Sequence, residues 1–156
     1  MLERDEASRP LAEYPVPVSV SAAFEGGEEI AAARALARSF LADARIGQGQ
    51  EVPGETVDIV QLVVSELVTN ARRHAPGPFL LTLRVQEREQ AVEVTVWDTE
   101  PDLPLPRPAD PTRVGQHGLE IVMALCRSFA IHREPVGKRI TATVALADPL
   151  GDETGG

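Results

Sequence analysis

Residues 55–74 constrain the fold most. Val57, Ile59, Val60, Leu62, Val63, Val64, Leu67 and Val68 cover most of a helix circumference there. Pro53 and Gly54 precede the stretch and Pro76 stops it. Such a helix is largely buried. Before it, residues 18–24 alternate Val18, Val20 and Ala22 with small polar residues, as a strand does, and residues 28–44 form an amphipathic helix ending around Gly47 and Gly49. After it, residues 79–87 and 91–98 read as a β-hairpin joined by a short polar turn. Pro101, Pro104, Pro106, Pro108 and Pro111 then exclude a regular element. A glycine-containing loop, 115–118, opens a third helix over 119–127, and strands at 129–133 and 139–146 close the pattern.

The order is β-α-α-β-β-loop-α-β-β. Few strands alternate singly with helices, so a doubly wound parallel sheet is excluded. The expected fold is an α/β (α+β) two-layer sandwich, with a mixed, largely antiparallel sheet and about three helices on one face. The expected domain covers 18–147, between a flexible N-terminal segment, 1–17, and a disordered tail, 148–156.

Composition narrows the class. Of 156 residues, 43% are hydrophobic and 25% charged, an ordinary globular balance. The net charge of -9 speaks against binding nucleic acid or an anionic membrane through overall charge. Cys126 is the single cysteine, which rules out an intramolecular disulfide framework and a cysteine-based metal cluster. No apolar run approaches the roughly 20 residues of a membrane helix. The charged start is unlike a signal peptide, so a cytoplasmic protein is expected. Lys138 is the only lysine.

Three features carry possible chemistry. Glu66 and Asn70 lie four residues apart, hence on one helix face, and His74 continues the stripe. They either line a cleft, where the amide holds a hard cation and the carboxylate works as a base, or form a solvated strip. Asp98 ends a strand, where it either accepts from an exocyclic amine or starts a turn. Gly115 and Gly118 flank a helix start, where free N–H groups attract phosphate, although glycines there are common without a ligand.

Their order is more telling than any one of them. Glu-x-x-x-Asn on a helix, Asp after a strand, a long irregular loop and Gly-x-x-Gly-Leu before a helix resemble the motif series of the histidine-kinase-like (GHKL) ATPases. Ser65-Glu66-Leu67-Val68-Thr69-Asn70-Ala71-Arg72-Arg73-His74-Ala75 is similar to the N box of the anti-sigma-factor serine kinases in that superfamily. The resemblance runs from about Val18 to Leu146. It implies ATP and Mg²⁺ as cofactors, with Asn70 holding the metal and Glu66 as base on a substrate serine. Asp98 would accept from the adenine amine. Gly115, Gly118 and Leu119 would border the triphosphate, and Arg113 would reach toward the terminal phosphate. It also implies a sigma factor and an anti-anti-sigma (STAS-type) protein as partners, and a possible homodimer; direct contact with nucleic acid or membrane is not expected.

Three positions depart from the pattern. Asp98-Thr99-Glu100-Pro101 lacks the usual glycines, and Gly115-x-x-Gly118 is spaced differently. Arg139 follows Gly137-Lys138 where a threonine is usual, and Thr141 comes two residues late on the same strand face as Arg139. These departures leave an alternative: a non-catalytic regulator that binds nucleotide or sequesters a protein with a degenerate ATP site.

Overall fold

The computed structural model describes residues 18–25, 30–74, 77–98 and 116–146. The expected terminal segments, the proline-rich loop, Arg113 and Gly115 lie outside them. Strand β1 (Ser19–Phe24) and helix α1 (Ile30–Asp43) come first. Two short strands, β2 (Arg45–Ile46) and β3 (Gln50–Glu51), lead into helix α2 (Gly54–His74). The hairpin β4 (Phe79–Gln86) and β5 (Ala91–Asp98) follows, then helix α3 (Gln116–Leu125), β6 (Ser128–Arg133) and β7 (Lys138–Ala145).

The main sheet has the order β1-β4-β5-β7-β6, and every pairing in it is antiparallel. Alternation explains its two faces. Leu81, Leu83, Val92, Val94, Val96, Ile140 and Ala142 are all fully buried and point toward the helices. The residues between them face outward, where Ser21 and Thr82 share a hydrogen bond of 2.9 Å and Arg84 meets Glu93 at 3.6 Å. This outer face is polar enough to stand in water.

The helix layer follows from apolar stripes. In α1, Ala33, Ala37, Phe40 and Leu41 are buried at the i, i+4, i+7, i+8 spacing of one helix face. Arg45 Nη1 closes the C-terminal end of α1 by donating to the Ala42 and Ala44 carbonyls, both at 2.9 Å. Helix α2 buries Val60, Val63, Val64, Leu67, Val68 and Ala71 between α1, α3 and the sheet. Leu62 is exposed, so its burial is less complete than the sequence implies. At the β1–β4 edge, the rings of Phe24 and Phe79 stack with centroids 5.0 Å apart.

Two local features differ from expectation. The glycines after α1 belong to a small hairpin: Gly47 and Gly49 have φ of 56° and 89°, and Gly47 N donates to Glu87 Oε2 at 2.6 Å. Helix α3 begins at Gln116, not Leu119, so Gly118 lies within its first turn rather than in a preceding loop. The N–H groups of a first turn have no intrahelical acceptor to find, so glycine disturbs no ladder there.

Cys126 follows α3 and is half-buried. Burial pushes its thiol up from 9.0 to about 11. At pH 8 the folded protein then carries far less thiolate than an ordinary thiol, and alkylation by iodoacetamide should be about tenfold slower than after unfolding, the higher nucleophilicity of a more basic thiolate offsetting part of the difference. The same shift makes the folded state lose stability between pH 9 and 11, because the unfolded chain releases that proton first. A native-state alkylation rate equal to that of the unfolded chain would contradict this burial.

Candidate functional site

The topology gathers the site at one end of the sheet. Only residues 75–78 separate the end of α2 from Phe79, and Phe79 pairs with Asp98 across β4 and β5. Asp98 in turn pairs with Lys138, the first residue of β7. The C-terminal turns of α2 therefore lie at the same end as the close of β5 and the start of β7. Helix α3 is tied to the opposite end by Arg127, which donates to the Glu89 and Gln90 carbonyls of the β4–β5 turn. The helix itself packs against α2, β6 and β7.

Burial separates these residues from an ordinary surface strip. Glu66 is half-buried, and Asn70 is only 6% exposed. Asn70 Nδ2 is buried without a hydrogen-bond partner, which costs free energy unless a ligand supplies one. Asp98 and Lys138 are 1% and 0% exposed, and Lys138 Nζ donates to Asp98 Oδ2 at 2.9 Å. Both extend the inward rows of their strands, Val92-Val94-Val96-Asp98 and Lys138-Ile140-Ala142-Val144. An amide, a carboxylate and an ammonium thus interrupt an otherwise apolar core at one end.

The other expected site residues divide. Gly118 and Leu119 occupy the first turn of α3, and the Leu119 side chain packs against the hydrophobic core. Thr141 faces outward, 3.4 Å from Thr95 Oγ1 and on the same side as Arg139. The threonine of the family pattern is thus not replaced from Thr141. Lys138 occupies the inward place beside Asp98, a role missed in the sequence. The signal was there: alternation that turns Arg139 and Thr141 outward turns Lys138 inward.

A shallow cavity of about 280 Å³ lies at the same sheet end, lined by Ala23, Pro78, Phe79, Leu80, Trp97, Asp98 and Val136. Trp97 Nε1 fixes one wall by donating to the Val136 carbonyl at 2.9 Å. Glu66 and Asn70 do not line it, so it touches the polar cluster through Asp98 alone. Among the described residues no group of three or more His, Cys, Asp or Glu side chains is placed to hold a metal.

The chain is thus a two-layer α/β sandwich with a polar cluster at one end of its sheet. Residues 28–144 match the histidine kinase-like ATPase domain family, and the chain belongs to it. Domains of this family bind ATP, usually with Mg²⁺, and the buried, unpartnered Nδ2 of Asn70 leaves one polar atom here for a ligand to satisfy. No curated protein sequence matches the chain. Among solved structures it is similar to the RsbU and RsbW domains of Rv1364c from Mycobacterium tuberculosis, at 20% identity and a TM-score of 0.61. That match covers 86% of this chain and 34% of the other, so this chain spans about a third of its relative. It is also similar to the histidine kinase domain of the blue-light activated histidine kinase from Erythrobacter litoralis EL346, at 19% identity and a TM-score of 0.47, covering 89% and 69%. At 20% identity the likeness to the first of these is one of fold. Among the described residues, no helix is long and apolar enough to cross a membrane.

Proposed function

We propose that the protein is a cytoplasmic ATP- and Mg²⁺-dependent serine kinase of the anti-sigma type, which phosphorylates an anti-anti-sigma (STAS-type) protein and binds a sigma factor. The observation that carries this reading is Asn70, buried on the same face of α2 as Glu66 with its amide nitrogen unpartnered. Swapping the two ends of the amide by rotation presents the oxygen instead, the atom that would hold Mg²⁺. The bound Mg²⁺ would supply charge neutralisation on the phosphates. Glu66 takes the proton of the serine hydroxyl as its oxygen bonds to the γ-phosphorus and the bond to ADP breaks. Asp98 accepts from the adenine amine, and the N–H groups of Gly118 and Leu119 face the phosphates. Arg113 and Gly115 complete the site from the segment before α3.

Calorimetry with ATP, with and without Mg²⁺, tests the site. Mg²⁺-dependent binding should weaken about tenfold or more in Asn70→Ala, the loss of one charge-assisted contact. Equal binding by the variant would remove Asn70 from the site. A second reading, a regulator that binds nucleotide or protein without catalysis, is favoured by Thr141, which faces outward and does not supply a hydroxyl beside Asp98. Mg²⁺-ATP binding without transfer to any serine acceptor would favour it.

A further inference from the structure

The buried pair of Asp98 and Lys138 exceeds what the fold requires. Its register position, opposite ends of β5 and β7, is one that two apolar side chains could fill as well. Taking both charges out of water is costly, and an ion pair at this depth gives no assured gain over such a replacement. The lysine is the only one in the chain and is fully buried, with its charge spent on Asp98. On α2, which packs against both β5 and β7, Asn70 presents a second buried polar group whose nitrogen is unpartnered, an independent sign that the core receives a ligand.

We infer that Lys138 is the positioning residue that makes the site select a purine bearing an exocyclic amine. This rests on the proposed nucleotide site and adds to it the residue that sets base specificity. A carboxylate offers about four acceptor positions, so engagement of Oδ2 by an ammonium is compatible with accepting from a base. The ammonium fixes the carboxylate plane by donating to Oδ2, and the acceptor so oriented suits an amine and repels the oxo group of a 6-oxopurine. The outward-facing Thr141 cannot perform this task, and Lys138 takes it over from the neighbouring register position.

Because Lys138 is the sole lysine, selective ¹⁵N-lysine labelling of the intact wild-type protein gives one side-chain ammonium signal. ATP should shift that signal, whereas the triphosphate of purine riboside, which lacks the 6-amino group, should bind about ten- to a hundredfold more weakly and leave it near its free position at saturation. In Lys138→Met, where the variant folds by circular dichroism, the preference for ATP over the amine-free nucleotide should fall to about twofold or less. A purely structural lysine would instead weaken both nucleotides equally. An ammonium signal unmoved by saturating ATP, or a Lys138→Met protein with its preference intact, overturns the inference while leaving the ATP site standing. If wild type binds neither nucleotide at millimolar concentration, the nucleotide site itself fails, and the inference with it.

Discussion

Glu66→Gln is expected to lower γ-phosphate transfer to a serine acceptor by about 10²- to 10⁴-fold while leaving Mg²⁺-ATP affinity within about threefold. The size is that of removing a positioned general base. The substitution keeps the volume of the side chain and its place on α2, so the helix packing around Val63, Leu67 and Asn70 is undisturbed. What it removes is the ability to take a proton from the attacking hydroxyl. In-line phosphoryl transfer depends chiefly on positioning and electrostatics, so some activity should survive. The pair of measurements is what discriminates. Transfer of labelled phosphate to a purified STAS-type acceptor should collapse, and calorimetric ATP binding should not. If both fall together, Glu66 belongs to nucleotide binding; if transfer is unchanged, the base lies elsewhere.

The fold was largely legible because its signals are long. Eight-residue runs of β-formers gave β4 and β5 almost to the residue, and the apolar run over 57–68 announced a central helix. The hairpin of β2 and β3 was not legible, since strands of two residues carry no periodicity. The start of α3 was displaced by three residues because glycine and histidine read as loop, although a first turn demands little of its residues. At the site, spacing alone put Glu66 and Asn70 on one face. Burial could not be read so directly. That Asn70 is enclosed with an unpartnered nitrogen depends on how α2 seats on the sheet, a tertiary fact. Lys138 is hidden for another reason: the family pattern points to Arg139 and Thr141, whose parity turns them away from Asp98.

Removing either half of the Asp98–Lys138 pair should be far more damaging than removing both. Asp98→Ala leaves the Lys138 ammonium buried without the carboxylate that lies 2.9 Å from it, and a loss of about 3–5 kcal/mol is expected. That is a large share of the roughly 5–15 kcal/mol that holds a domain folded. Asp98→Leu combined with Lys138→Met replaces the pair by apolar side chains in the row of Val96 and Ile140, and should recover to within about 1–2 kcal/mol of wild type. Urea denaturation of the two single variants and the double, treated as a cycle, gives the coupling directly. Additive effects would mean that the two groups do not depend on one another, against their full burial. Strong coupling with a stable double variant would mean that an apolar core at this end folds well enough by itself. Stability then gives no reason to keep two charges there, and the reason must be sought in what the end of the sheet binds.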